Sequence, residues 1–198
     1  MRTQSRRPRL SFNAPAVLGF CGICLLAMLL GALTGGRSGT ALFSVYRCSL
    51  ASPLAWLRFV GHVFGHADWG HLMNNLMYIL ILGPMLEEKY GSATLALVML
   101  ATALAIGLIT FLFLPGVALR GASGIVFAMI LLSSITRAEE GTIPVTFVLV
   151  AVLYIGQQVW QGVTLNDNVS QLGHIIGGAV GSALGFVMKK HGMDRYQR

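Results

Sequence analysis

The chain has 198 residues, 55% of them hydrophobic and only 11% charged, with a formal net charge of +7. A soluble domain carries about a quarter charged residues, so this balance excludes an ordinary water-soluble globule and places the chain in lipid. The length allows about six membrane spans with short connections and leaves no room for a sizeable soluble domain.

Apolar runs between charge clusters predict spans over residues 15–33, 71–86, 93–114, 123–135, 143–160 and 172–188. The expected fold class is therefore an all-α integral membrane protein, a bundle of six transmembrane helices with a long interfacial first loop. Residues 14–189 would form the membrane domain, between a basic N-terminal segment, 1–13, and a tail, 190–198. Arg2, Arg6, Arg7 and Arg9 precede the first span, and Lys189, Lys190, Arg195 and Arg198 follow the last. Because Lys and Arg accumulate on the cytoplasmic side, both termini are expected inside, as an even number of spans demands. The same charges flank apolar runs and form no interleaved basic patch, which argues against nucleic acid as a partner. The first apolar run is too long for a cleaved signal peptide and reads as a signal anchor. Compact size suggests a bacterial plasma-membrane protein.

Cys21 and Cys24 lie one helical turn apart in the first span and read as small packing residues; Cys48 has no evident partner. The connection over 37–70 holds Phe43, Tyr46, Trp56, Phe59, Phe64 and Trp69. Aromatic residues at that density next to a span indicate a loop resting half-immersed in one leaflet. His62 and His66 within it could be half of a zinc site, but no His-Glu-x-x-His accompanies them, so they read as loop anchors and no metal or cofactor is expected.

The second span opens with His71-Leu72-Met73-Asn74-Asn75. His71 and Asn75 are four residues apart and share a helical face, from which both can donate to a developing oxyanion. The fourth opens with Gly121-Ala122-Ser123-Gly124. A lone serine there would be an ordinary helix cap, but the flanking glycines let another backbone come close and leave the Ser123 N–H directed at an oxyanion. A serine nucleophile needs a base. His174, in the last span, is the candidate, and Gly177, Gly181 and Gly185 recur every fourth residue below it. That small-residue stripe permits close packing against the fourth span, which would bring the imidazole to Ser123 Oγ.

These groups also share a depth. At the α-helical rise, Ser123 stands roughly 21 Å from Arg137, His174 roughly 22 Å from Lys189 and Asn75 roughly 18 Å from Glu87. In a hydrocarbon core of about 30 Å, all three lie below the outer face, where an unpaired polar group costs several kcal/mol.

From about Trp56 to the end of the last span the chain resembles the rhomboid family of intramembrane serine proteases. The matching pieces are Trp56-Leu57-Arg58, His62, His66, His71 through Asn75, Gly83 through Ser92, Gly121 through Gly124, and His174 with its glycines. The resemblance implies a Ser123/His174 dyad, an oxyanion site made by His71, Asn75 and the Ser123 backbone, and cleavage of single-span or multi-span membrane proteins near helix-destabilising residues. It further implies a ring at Phe127 stacking on His174, where some members have tyrosine, and structural roles for Glu87 and Ser92. Leu57 separates Trp56 from Arg58, which blurs the role of Arg58. By the same analogy the substrate enters beside the fifth span, with residues 162–170 as a mobile cap.

Asp167, seven residues before His174, reads as a solvated loop residue rather than a triad acid, since it would lie roughly 10 Å above the imidazole. The rival functions are a catalytically inactive rhomboid-like protein binding membrane clients, and a small channel. The first lacks the serine or histidine, and both are present here. The second needs a polar path, whereas Ile125, Val126, Phe127, Met129, Ile130 and Leu131 follow Ser123.

Overall fold

The computed structural model describes residues 12–135, 142–153, 156 and 168–190. The basic residues Arg2, Arg6, Arg7 and Arg9, with Arg137, Trp160, Asp167, most of the segment 162–170, Arg195 and Arg198, lie outside them.

The described residues are helical apart from turns, loops and one isolated bridge. The helices are α1 (Pro15–Leu33), α2 (Arg37–Leu42), α3 (Pro53–Gly61), α4 (Trp69–Tyr90), α5 (Ser92–Phe113), α6 (Ser123–Ile135), α7 (145–153) and α8 (Asn168–Lys190). Of these, α1 and α5 are each long and apolar enough to cross a membrane by length and composition, while α6 is a shorter apolar helix. The bounds of α1 and α6 are those expected from the apolar runs. By contrast α4 begins two residues early and runs four residues past Leu86, and α8 begins four residues before the expected span. The loop over 37–70 is not irregular throughout, since it folds into α2 and α3.

Each boundary has a local cause. Pro15 occupies the first turn of α1, where a missing N–H is harmless. Asp68 caps α4 by accepting the His71 N–H at 2.8 Å. Gly91, at φ 85°, ends α4 and leads into α5. The last carbonyls of α5 are met from outside: Arg47 donates Nε to Phe111 O at 3.3 Å and Nη2 to Leu112 O at 2.8 Å.

The directions follow from two ties. The N–H groups of Ala16 and Val17, at the start of α1, each donate to a Glu87 carboxylate oxygen at 2.9 Å. Thus α1 begins where α4 ends, and the two are antiparallel. Because α5 starts at Gly91, it returns to the Trp69 end, where α6 begins. The core between these helices is apolar, with Val17, Leu72, Ile79, Leu95, Ile125, Met129 and Leu132 almost fully enclosed. Leu26, Ile81, Leu97 and Val152 face outward instead. An apolar exterior around an apolar interior suits a lipid solvent.

Candidate active site

The most extensive helix contact in the molecule joins α6 to α8. Its register is set by glycine. A Cβ at Gly177 would stand 2.7 Å from Gly124 C, one at Gly181 would stand 2.5 Å from Ala128 Cα, and one at Gly185 would stand 3.0 Å from Leu132 Cδ1. Three contacts four residues apart on both helices make α6 and α8 parallel neighbours whose backbones touch. Only hydrogen at those Cα atoms allows that approach.

This register fixes the height of the two candidate groups. Ser123 lies one residue above Gly124, and His174 lies three above Gly177. Their Cα atoms therefore differ by roughly 3 Å along the axis, within the reach of an imidazole. Laterally, the Phe127 ring lies against His174 with centroids 4.6 Å apart and planes at 50°. Phe127 is one turn below Ser123 on α6, so that helix presents both residues towards the same side of α8. Ser123 and His174 are both partly buried.

The strand of chain that delivers Ser123 is pinned to the first loop. Val45 and Leu119 exchange two backbone hydrogen bonds of 2.9 Å, and the Gly121 N–H donates to His62 O at 2.9 Å. Gly121 has φ 136°, a region that penalises any side chain, and its missing Cβ would lie 2.8 Å from His71 Cε1 and 3.0 Å from Nε2. The His71 ring is thereby seated two residues from Ser123. Asn75, one turn below His71, is 3% exposed, and its amide nitrogen has no hydrogen-bond partner among the described residues. A buried donor left open in this way usually marks a ligand or a functional demand.

The other two loop histidines are tied to backbone carbonyls, and the His66 ring packs edge-on against His71 with centroids 5.1 Å apart. His62 Nδ1 lies 3.2 Å from Arg58 O and His66 Nδ1 lies 3.2 Å from Phe64 O. A carbonyl only accepts, so in each ring Nδ1 carries the proton. Burial holds both imidazoles well below their usual range, at about 4, opposed in part by those carbonyls and, for His66, deepened by His71. They are neutral near pH 7 and serve to fix the loop. Arg58 does the same, donating Nε to Ala41 O at 2.8 Å with its guanidinium 4.4 Å from the Tyr46 ring centroid.

Glu87 belongs to the other end of α4, roughly 24 Å below His71. The glycine seam was visible as a sequence period, whereas the Val45–Leu119 and Gly121–His62 pairings carry no sequence signal. Asp68 was missed although Asp three residues before an apolar run is a recognisable cap.

Comparison with known proteins gives the family. The sequence profile of the Rhomboid domain matches residues 53–191. The chain is 32% identical over 151 residues to rhomboid-like protein 11, chloroplastic, of Arabidopsis thaliana, covering 69% of this chain and 54% of that protein. It is 30% identical over 147 residues to rhomboid-related protein 2 of Mus musculus, covering 68% and 48%. It is 26% identical over 181 residues to rhomboid protease GlpG of Serratia proteamaculans, covering 89% and 64%. The chain thus spans about half the length of the first two and somewhat under two thirds of the third. These relatives come from a plant, a mouse and a bacterium, so the likeness carries membrane residence and not a bacterial origin.

Proposed function

The chain belongs to the rhomboid family, and from that premise we propose that it is an intramembrane serine endopeptidase that cleaves transmembrane segments of membrane proteins. The observation that carries the reading is the α6–α8 seam, whose register supports Ser123 and His174 at one level with Phe127 beside the imidazole.

In this mechanism neutral His174 takes the Ser123 Oγ proton as the oxygen attacks the carbonyl carbon of the scissile bond. Charge collects on the carbonyl oxygen, where His71, Asn75 and the Ser123 N–H donate to it. The open Asn75 amide is the reason to place the oxyanion there, since a buried donor strengthens its bond as the acceptor gains charge. Collapse expels the amine, which takes its proton from the His174 imidazolium and leaves an acyl-Ser123 ester. A water then gives its proton to His174 and its oxygen to the acyl carbon, releasing the carboxylate product and restoring the hydroxyl. No metal or cofactor enters.

The architecture we infer is a six-span bundle over 14–189, with both basic termini cytoplasmic and Ser123 towards the opposite leaflet. The substrate helix must partly unwind, because helical carbonyls are bonded and shielded. It reaches the site laterally, beside α7. Single-span and multi-span proteins with helix-weakening residues near that leaflet are the substrate class.

Purified protein reconstituted in liposomes with a panel of single-span substrates tests this. Wild type is expected to yield product and to label at Ser123 with a fluorophosphonate, while Ser123→Ala does neither. Wild type that stays unlabelled and inert while retaining substrates on affinity resin would assign the chain to client binding instead.

A further inference from the structure

A cavity of about 330 Å³ lies between the Ser123-side end of α1, the start of α2 and the loop through Gly65. Its wall is built in two parts. Along α1 it is small and apolar, with Ala27, Met28 and Gly31; the other side carries His66 and Arg120. From Ala27 to Ala32, the part of this wall within α1 rises roughly 7.5 Å. The cavity is therefore amphipathic along its length, with a cation at one end and a floor continuous with a membrane-type helix.

Arg120 is partly buried and has no hydrogen-bond or ion-pair partner among the described residues. Its Nη1 rests over Gly39, where a Cβ would stand 3.0 Å away, so the bare glycine lets the guanidinium lie against α2. A guanidinium withdrawn from water calls for a planar or tetrahedral oxyanion, which its donors can grip with two parallel bonds. At a membrane boundary the abundant partner of that kind is the lipid phosphate.

We propose that this cavity binds the phosphate of a phospholipid from the leaflet on the Ser123 side, with Arg120 as its anchor and the Ala27–Met28–Gly31 wall taking the glycerol and the upper acyl carbons. Two features favour a lipid over other anions. A water-soluble phosphate would gain nothing from the apolar floor. A substrate carboxylate held for cleavage would have to be met beside Ser123, whereas the cavity that Arg120 lines includes neither Ser123 nor His174. The inference needs only that the chain lies in a bilayer, so it stands or falls separately from proteolysis.

Native mass spectrometry of the full chain, released from micelles doped with dioleoylphosphatidylglycerol, reads the site directly. Wild type is expected to retain this lipid, and Arg120→Gln to retain it about tenfold less, as expected for a lost charge-assisted pair. Gly31→Leu gives a second test that leaves the charge intact. A Cβ at Gly31 meets nothing within 4 Å, so a side chain can start there unobstructed, and one as long as leucine should fill part of the cavity and weaken retention similarly. Arg37→Gln, an exposed charge at the start of α2 outside the cavity wall, should change nothing. Dioleoylglycerol, which lacks the phosphate, should be retained poorly, and glycerol 3-phosphate should not compete at equal concentration. Equal retention by wild type and both variants, equal retention of dioleoylglycerol, or displacement by glycerol 3-phosphate would each overturn the proposal. Should Arg120→Gln fail to fold in a melting scan, Gly31→Leu decides.

Discussion

Two of the helix pairs in the bundle are held by opposite means. Between α1 and α4 the tie is a side chain, since the Glu87 carboxylate accepts two N–H groups at the start of α1, and Gly83 receives the branched end of Val17. Between α6 and α8 the tie is the absence of side chains, since Gly177 and Gly181 meet the backbone of Gly124 and Ala128. A Cβ at Gly83 would meet both Val17 methyls, at 2.5 and 3.1 Å, side-chain atoms that a small shift of the start of α1 can carry aside. A backbone carbonyl in a helix cannot move without breaking the helix around it. Of these two, the pair carrying Ser123 and His174 is thus the one whose spacing is less adjustable, as the proposed dyad would require when an error of an ångström already costs rate.

The largest test of this contrast pairs two identical changes. Gly181→Ala sets a Cβ against the Ala128 backbone and should cost about 3 kcal/mol, the upper range for overpacking, and should abolish cleavage by parting α6 from α8. Gly83→Ala sets its Cβ 2.5 Å from a Val17 methyl and should cost about 1 kcal/mol, with cleavage retained. Unfolding in mixed micelles measures both, and equal costs would remove the distinction.

Glu87→Gln comes next. It leaves one acceptor oxygen and removes the charge facing the positive end of α1, for a loss of about 2 kcal/mol. The rate at which a fluorophosphonate labels Ser123 in the folded fraction should stay as it was, because Glu87 lies at the far end of α4. A slower labelling rate at unchanged stability would make Glu87 a part of the site. Phe127→Leu should do the reverse. Losing a ring contact is worth about 0.5–1.5 kcal/mol, so cleavage should fall about threefold to tenfold in kcat while KM and the melting temperature hold. Phe127→Tyr should restore it.

The same contrast governs what was legible in the sequence. Ser123, His174 and the stripe at Gly177, Gly181 and Gly185 announce themselves because a polar group or a four-residue period in an apolar run has few alternative explanations. The start of α6 follows from its glycines and that of α1 from Pro15. What stayed hidden depends on contacts across the chain. Neither Val45 nor Leu119 differs from any other apolar residue until the two are paired, and Arg120 reads as one more loop cation until α2 is seen beneath it. The helices α2 and α3 are too short for periodicity to distinguish them from an irregular interfacial loop, since six and nine residues complete barely two turns. Asp68 moved the start of α4 because a cap outranks the hydropathy that was used to place it.

The last effect expected is a pH dependence of the loop that pins Ser123. The folded pKa of His62 is about 4 against an ordinary 6.5, with burial as the cause and the Arg58 and Phe59 backbone opposing it. Between those values the unfolded chain binds a proton that the folded chain refuses. Stability is therefore complete above the unfolded value and declines as pH falls towards 4. His66, also held at about 4, adds in the same direction. The melting temperature of wild type should drop from pH 7 to pH 4.5, and His62→Gln should make that slope shallower without abolishing it, because His66 still contributes. The carbonyl of His62 also holds the Gly121 N–H, so fluorophosphonate labelling of Ser123 should fall more steeply with acid in wild type than in His62→Gln, a comparison in which protonation of His174 is common to both. Equal acid slopes for the two would mean that the Val45–Leu119 bridge alone is enough to hold Ser123 in place.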